Sequence, residues 1–121
     1  MIKSYKDILL AEDNYPLAKL IKYCLEEHNY VVDISTTVEE TIAKINMIKY
    51  DVLILDYSFN EGLLTGEAVM HHINKYNREI VVFANSCDDD YNNKLILLGS
   101  KGATDKNLSK ILTALGCSLV P

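Results

Sequence analysis

The chain has 121 residues, 49% of them hydrophobic and 24% charged, with a formal net charge of -5 and a sequence pI near 5.1. This ordinary globular composition excludes a disordered or fibrous chain, and the length predicts one domain, residues 1–121. The acidic balance, without a block of Lys or Arg, argues against direct binding of nucleic acid and favours cationic partners such as metal ions.

The cysteines and the N-terminal residues indicate a cytoplasmic protein. Cys24, Cys87 and Cys117 form an odd, widely spaced set without a CxxC motif, which fits reduced thiols better than a disulfide framework or a zinc site. Residues 1–7 lack the apolar core of a signal peptide, and no apolar run approaches the ~18 residues of a membrane-spanning helix. We therefore expect a cytoplasmic location and no membrane partner.

The first predicted elements are a strand, a helix and a second strand. Residues 8–11 form a short apolar run that ends on Glu12 and Asp13, which indicates a buried strand with acids at its carboxyl end. Asn14 is placed to cap the helix that follows, and residues 31–35 are predicted to form the second strand. Residues at helical spacing give the apolar face of that helix: Leu17, Leu20, Ile21, Cys24 and Leu25.

The second helix and the third strand come next. Thr37 is the predicted cap of the helix, because its hydroxyl can accept from the first free backbone N–H groups. The apolar face is predicted to contain Val38, Ile42, Ile45 and either Met47 or Ile48. Four apolar residues, 52–55, then end on Asp56. In open parallel α/β sheets ligands bind just outside the carboxyl ends of the strands, so Asp56 lies where chemistry is expected.

Three helices and two strands complete the chain. Residues 57–64 are predicted to form a loop before a helix capped by Thr65, and residues 80–83 a buried fourth strand. A helix is predicted to begin at residues 88–90, and a weak fifth strand at residues 102–104 precedes the last helix. Helical spacing predicts the apolar faces as Val69, Ile73 and Tyr76, then Leu95, Ile96 and Leu98, and finally Leu108, Ile111, Leu112 and Leu115.

Strands and helices therefore alternate five times along the chain. The predicted strands are too hydrophobic to be half-exposed, which favours a parallel sheet with helices packed on both faces. Right-handed crossovers leave few topologies for such a sheet. The predicted class is α/β, with a single doubly wound sheet.

Charged residues are expected to meet at one edge of that sheet if the strands that carry them are neighbours. The carboxyl ends of the first, third and fifth strands carry Glu12 and Asp13, Asp56, and Lys106. Carboxylate oxygens suit Mg²⁺, which also binds phosphate oxygens, and a lysine ammonium can hold a phosphoryl oxygen as a point charge. This combination is typical of phosphoryl transfer to an aspartate nucleophile.

These residues lie in motifs of a known family. Over essentially its whole length the chain resembles the receiver domain of two-component response regulators, through residues 10–14, 51–56 and 99–106. The spacing from Gly99 to Lys106 is also that of the family. The resemblance implies a flavodoxin-like fold, with a five-stranded parallel sheet of order 2-1-3-4-5 flanked by five helices.

The resemblance also implies the roles of the site residues. Glu12 and Asp13 correspond to the acidic metal-binding pair, and Asp56 to the phosphoacceptor and a further Mg²⁺ ligand. Ser58 would offer its backbone carbonyl to the Mg²⁺ cofactor, and Lys106 would contact the phosphate. The expected partners are a sensor histidine kinase or a histidine phosphotransfer protein and an unknown downstream protein, and the chain is expected to be a monomer or weak dimer. Such a domain is a signalling module and not an enzyme, since it assists only its own aspartyl phosphorylation and dephosphorylation.

Departures from the family pattern concern signalling more than phosphate acceptance. Ala84 stands where the family has a Thr or Ser hydroxyl, and Ala103 where it has a switch aromatic; Ser86 could supply the hydroxyl if a bulge brought it in. We expect phosphorylation to lack its ordinary effect on the surface of the fourth helix, fifth strand and fifth helix. Asn107 replaces the usual proline, which leaves the peptide before the last helix less fixed, and the loop at residues 57–66 lacks a Met-Pro pair and has its second glycine two residues late.

Two alternative functions use the same residues. A degenerate pseudo-receiver would keep the fold as a protein-interaction module without phosphorylation. An aspartate-dependent phosphatase resembling the haloacid dehalogenases would need a second Asp two positions after the nucleophile, where this chain has Ser58. Tyr57, beside Asp56, is a further candidate for a functional role.

Two polar groups are expected to be structural. Residues 88–90 are three acids that would cap a helix N-terminus, where negative charge is favourable. His71 and His72 are adjacent on one helix, so their side chains diverge by ~100° and cannot both face one metal.

Overall fold

The computed structural model describes residues 5–59, 64–76 and 78–116, and it confirms the predicted alternation of strands and helices. Cys117 and part of the loop after Asp56, residues 60–63, lie outside the described residues. In chain order the elements are β1 (Asp7–Ala11), α1 (Tyr15–Glu27), β2 (Val31–Ser35), α2 (Val38–Met47), β3 (Val52–Leu55), α3 (Gly66–Lys75), β4 (Val81–Ala84), α4 (Asp89–Leu97), β5 (Gly102–Ala103) and α5 (Leu108–Ala114). Within the described ranges, no helix is both long and apolar enough to cross a membrane.

The strands form one parallel sheet of order β2-β1-β3-β4-β5, as predicted. In register, Ala11 lies opposite Leu55, Leu55 opposite Ala84, and Ala84 opposite Ala103. The next residue of each of these four strands, β1, β3, β4 and β5, is therefore at the same carboxyl edge. These four residues are all polar: Glu12, Asp56, Asn85 and Thr104.

Helices cover both faces of the sheet, and each face has its own core. Alternate strand residues such as Ile54 and Phe83 pack against α1 and α5, whereas Leu55 and Ala84 pack against α2, α3 and α4. Because successive side chains of a strand point to opposite faces, Asp56 continues the face of Ile54. The register and the pleat together decide which side chains can meet Asp56.

The predicted helix caps are confirmed. Side-chain oxygens of Asn14, Thr37 and Thr65 accept from backbone N–H groups in the first turns of α1, α2 and α3. Asp88 caps α4 by accepting from the backbone N–H groups of Asp90 and Tyr91. The acids at residues 88–90 thus act as the helix cap and first turn.

Several predicted core residues are exposed instead. The exposed fraction is 60% for Leu20, 83% for Met47, 46% for Ile48, 53% for Tyr76 and 39% for Ile96. Ile48 and Tyr76 are the C-terminal caps of α2 and α3, so the helical spacing no longer applies to them. The others lie beside the stripe that contacts the sheet, because a helix on a sheet buries a narrower face than the hydrophobic pattern suggested. Buried residues that the pattern missed are Ala18, Thr41 and Met70.

Strand boundaries differ from the prediction by one residue. β1 begins at Asp7, which pairs with Val31 of β2. Ile80 is outside β4 because its N–H donates to the carbonyl of Arg78 in a turn. β5 ends at Ala103, since its only partner strand ends at the same level.

Candidate functional site

A row of buried polar side chains forms the base of the site. Glu12, Asp56, Asn85 and Thr104 are all at most 3% exposed. Ladder bonds align them, with Asp56 N–H donating to the carbonyl of Ala11 (3.1 Å) and Asn85 N–H to that of Leu55 (2.9 Å). A buried polar row of this kind is costly unless its members satisfy one another or a ligand.

Three carboxylates meet beside this row. One oxygen from each of Glu12, Asp13 and Asp56 lies within 4.8 Å of the other two. The acids predicted at the ends of the first and third strands therefore converge in the structure. Two or three carboxylates on a partly open site are the donor set that Mg²⁺ takes while keeping several waters.

Lys106 brings one positive charge to these acids. Its Nζ lies 2.9 Å from Glu12 Oε1 and 3.1 Å from Asp56 Oδ2. Burial lowers the pKa of Lys106, but the hydrogen bonds and charges of Glu12 and Asp56 outweigh it and raise this pKa above its usual value. The ammonium is therefore charged and bridges the carboxylates of Glu12 and Asp56.

One ammonium does not balance three carboxylates. Burial, with the neighbouring charge of Asp56, raises the pKa of Glu12 to about 7. Burial also raises the pKa of Asp56, although Lys106 opposes this effect. The site thus retains a demand for positive charge that a divalent cation would meet.

The backbone after β3 fixes the position of Asp56. Tyr57 N–H donates to Asp56 Oδ1 at 2.8 Å, and Gly66 N–H at the start of α3 donates to the carbonyl of Tyr57 at 2.8 Å. A Cβ at Gly66 would lie 2.5 Å from the carbonyl oxygen of Asp56. Gly66 is the second glycine of this loop, which comes two residues later than in the family. Because it has no Cβ, α3 can pack directly on the Asp56 backbone.

An open cavity of about 450 Å³ gives access to the site. Asp13, Asp56 and Lys106 line it, together with Ser58 and Ser86. Four further lining residues lie at its rim: Asn14, Cys87, Asp88 and Tyr91. Of the other two cysteines, Cys24 is a half-buried free thiol and Cys117 is outside the described residues.

Ala84 and Ser86 lie in different environments. Ala84 is fully buried in the core on the α4 side. Ser86 reaches the cavity from the loop after β4, where its Oγ accepts from Asp88 N–H at 3.1 Å. Asn92 holds this loop, since its amide bonds both the N–H and the carbonyl of Ser86.

The turn that carries Lys106 is held without a proline. Asp105 and Lys106 both have φ of 55°, a left-handed conformation that residues other than glycine seldom adopt. Lys106 N–H donates to Asn85 Oδ1 at 2.8 Å, and Asn107 caps α5 by accepting from Lys110 N–H. The side chains of Asn85 and Asn107 hold the turn on either side of this peptide, and the lower rigidity expected from Asn107 in place of proline stays a prediction.

Tyr57 connects the site to α4. Its ring stacks on that of Tyr91, with centroids 4.3 Å apart and planes 14° from parallel. Lys94 Nζ lies 5.6 Å from the Tyr57 ring centroid, and the Tyr57 hydroxyl donates to the Glu67 carboxylate. Tyr57 is thus a buried packing residue with a satisfied hydroxyl, and its stacking partner was not predicted.

The histidines lie away from the acids. His71 is exposed, and the ring of His72 contacts Asn46 Oδ1 at 2.9 Å through Nε2. Among the described residues, the acidic cluster includes neither of them.

Fold and site together define a class: doubly wound α/β domains with an acidic cluster and a lysine at the carboxyl edge of the sheet. Within that class the chain belongs to the response regulator receiver domain family, whose model matches residues 8–114. Receiver domains act in two-component signalling. The chain has no significant match among curated proteins.

Solved structures share this fold at low sequence identity. The receiver domain of a Francisella response regulator is 23% identical, over 93% of this chain and 94% of that one, with a TM-score of 0.80. The response regulator protein TrrA from Thermotoga maritima, in complex with Mg²⁺ and BeF, is 23% identical over 91% and 98%, with a TM-score of 0.76. A Burkholderia pseudomallei response regulator with a phosphorylated aspartic acid and a calcium ion is 18% identical over 91% and 66%, with a TM-score of 0.78.

Proposed function

We propose that this receiver domain accepts a phosphoryl group on Asp56 from a histidine kinase or a histidine phosphotransfer protein, in a Mg²⁺-dependent reaction. The observation that carries the proposal is the convergence of Glu12, Asp13 and Asp56 with the Lys106 ammonium at one open site. Phosphorylated aspartate and Mg²⁺ with BeF in two structural neighbours support it.

Asp56, Tyr57 and Lys106 have separate roles in the proposed phosphoryl transfer. A carboxylate oxygen of Asp56 forms the new P–O bond while the P–N bond to the donor imidazole breaks, and the imidazole leaves with its electron pair and takes a proton. Tyr57 N–H and Lys106 hold the Asp56 carboxylate, and the ammonium offsets charge on the phosphoryl oxygens.

Asp13 and Asp56 would hold the Mg²⁺ ion, with Glu12 reaching it through water and the Ser58 backbone carbonyl as the remaining protein ligand. When bound, the ion would neutralise further charge on the transferring group. Ser58 stands two positions after Asp56 and lacks a carboxyl group, so the phosphatase alternative has no general acid there.

The test is phosphorylation by a small phosphodonor. The chain is incubated with phosphoramidate, with and without Mg²⁺, and its intact mass is measured. We expect one phosphoryl group to be added only when Mg²⁺ is present. An unchanged mass at every donor and Mg²⁺ concentration would overturn the proposal in favour of a pseudo-receiver that only binds other proteins.

Stability in Mg²⁺ is expected to depend on pH through Glu12. Its pKa of about 7 in the folded chain lies above the ordinary value of 4.5, so the folded state binds a proton that the unfolded state lacks between these values. The free energy of unfolding without metal therefore falls as pH rises through this window. Because Mg²⁺ requires the deprotonated acid, its affinity should be about tenfold higher at about pH 8 than at about pH 6.

Thermal unfolding with and without Mg²⁺ at the two pH values measures this difference. The increase in Tm should be larger at the higher pH, and Glu12→Gln should remove most of the difference. Equal increases at both pH values in the unmodified chain would show that Glu12 does not titrate with the metal.

Signalling through the usual surface is expected to be weak. Ala84 and Ala103 face each other across β4 and β5 and carry neither a hydroxyl nor an aromatic ring. The described links from the site to α4 are instead the Tyr57–Tyr91 stack and the bonds of Asn92 to Ser86 and Asp105, at the first turns of that helix. On adding beryllofluoride, a phosphoryl mimic, amide NMR shifts across residues 88–115 should be smaller than those nearest Asp56, apart from Tyr91 and the Lys106 turn. Shifts of comparable size throughout α4 and α5 would contradict this prediction.

A further inference from the structure

The side chain of Asn85 is buried at the end of β4 in a fixed orientation. Asn85 is 1% exposed, and its Oδ1 accepts from the Thr104 hydroxyl at 2.7 Å and from Lys106 N–H at 2.8 Å. A backbone N–H can only donate, so the amide oxygen and not the nitrogen must face Lys106. The orientation of this amide is therefore determined by its partners.

The amide nitrogen of Asn85 is left without a partner. Nδ2 is buried and has no hydrogen bond to any described residue. A buried donor without an acceptor is costly and rare in native proteins, and it calls for a specific explanation such as a ligand. Asn92 shows the contrast nearby, since its buried amide bonds Ser86 and Asp105 through both of its polar atoms.

Asn85 is the cross-strand neighbour of Asp56. Its N–H donates to the carbonyl of Leu55, one position beyond the Leu55–Ala84 pair. In a parallel sheet, paired residues point to the same face and adjacent strands are ~4.8 Å apart, so the two side chains lie side by side. The Asn85 oxygen is directed at Thr104 and Lys106, and the nitrogen diverges from it at the same carbon.

We propose that the side-chain amide of Asn85 donates a hydrogen bond to the phosphoryl group on Asp56, in place of the hydroxyl that Ala84 lacks. This inference rests on the proposed function. Asn85 would be a phosphoryl-binding residue: it forms no covalent bond and moves no proton. The Asn85 oxygen also holds the Lys106 turn. One side chain would therefore position two donors, its own amide and the Lys106 ammonium, for the phosphoryl group.

The direct test observes the Asn85 amide in the unmodified chain. Side-chain NH₂ signals are followed by ¹⁵N NMR during addition of Mg²⁺ and then of beryllofluoride, and Asn85→Asp identifies the signal by its loss. We expect the Asn85 NH₂ signals to shift with beryllofluoride about as much as the Tyr57 amide, and to change little with Mg²⁺ alone. The Asn92 NH₂ signals, already bonded on both sides, are the internal control and should shift less.

The outcomes separate this inference from the proposal beneath it. If the Tyr57 and Ser86 amides shift with beryllofluoride and the Asn85 NH₂ signals do not, Asn85 is not a phosphoryl donor and the inference fails alone. If no signal near Asp56 shifts, the proposed function fails and the inference fails with it. Both results are observed in the unmodified chain.

Variants give a second readout in binding. Asn85→Asp keeps an oxygen for Lys106 N–H but removes the donor, and it should weaken beryllofluoride binding by about tenfold or more without weakening Mg²⁺ binding. Asn93→Asp makes the same change at an exposed position of α4 and should have an effect of less than about threefold. Equal losses in both variants would assign the effect to added charge and overturn the inference. Asn85→Ala removes the same donor without adding charge and should also weaken beryllofluoride binding.

Discussion

Asp56→Asn is expected to abolish phosphorylation of the chain by phosphoramidate and Mg²⁺. The amide is nearly isosteric with the carboxylate and can keep the contact with Tyr57 N–H, but its oxygen is not an anionic nucleophile. Replacing one of three crowded carboxylates also relieves repulsion, so the variant should unfold at the same or a higher temperature than the parent. Loss of labelling in a folded protein would therefore report lost chemistry and not lost structure.

Intact mass after incubation measures this effect, and Asp89→Asn is the matched control. Asp89 is an exposed acid at the start of α4, so its replacement should leave labelling within about twofold of the parent. Labelling of Asp56→Asn at the parental rate would mean that another residue accepts the phosphoryl group. Loss of labelling in both variants would show that labelling depends on the total negative charge near the site and not on Asp56 itself.

The acidic site could be predicted because its residues follow directly from their strands. A buried parallel strand is a continuous apolar run, and the polar residue that ends it must lie at the sheet edge, as Asp13 and Asp56 do. Helix caps are also local, since Thr37 and Asp88 bond N–H groups two or three residues away. Strand-end acids and helix caps can be predicted because each depends only on residues that are close together in the sequence.

Residues that join distant segments could not be predicted in the same way. Asn85 bonds residues 104 and 106, and Asn92 bonds Ser86 and Asp105. In the sequence each is an ordinary polar residue near a loop, and nothing local distinguishes it from a solvated one. The Tyr57–Tyr91 stack joins residues 34 positions apart and was hidden for the same reason. Burial of these polar groups is the signal that identifies them, and it requires the fold.

The proposed acceptance of a phosphoryl group and the transmission of its signal depend on different residues. Acceptance would use the acids and Lys106, which the structure brings together. Transmission by a hydroxyl and an aromatic ring would need side chains that Ala84 and Ala103 lack. The stack of Tyr57 on Tyr91 leaves α4 in contact with the residue that bonds the Asp56 carboxylate. Any signal along this path would begin as a displacement of Tyr57.

Gly66→Ala should destabilise the fold and disturb the site together. The added Cβ would lie 2.5 Å from the Asp56 carbonyl oxygen and 3.2 Å from Tyr57 Cα, and both are backbone atoms that no rotamer change can move. Relief requires α3 to retreat, which would stretch the bond from Gly66 N–H to the Tyr57 carbonyl. We expect a loss of about 2–3 kcal/mol in the free energy of unfolding, or roughly 10 °C in Tm.

Gly102→Ala is the matched control for this prediction. A Cβ at Gly102 in β5 would have no atom within 4 Å, so the same substitution should change Tm by less than about 2 °C. The retreat of α3 should also move Asp56 relative to Asp13, and the increase in Tm caused by Mg²⁺ should therefore shrink in Gly66→Ala but not in Gly102→Ala. Equal stability of the two variants would show that the Asp56 backbone yields to the added methyl group. A normal Mg²⁺ response in a destabilised Gly66→Ala would instead show that the acids hold their geometry independently of α3.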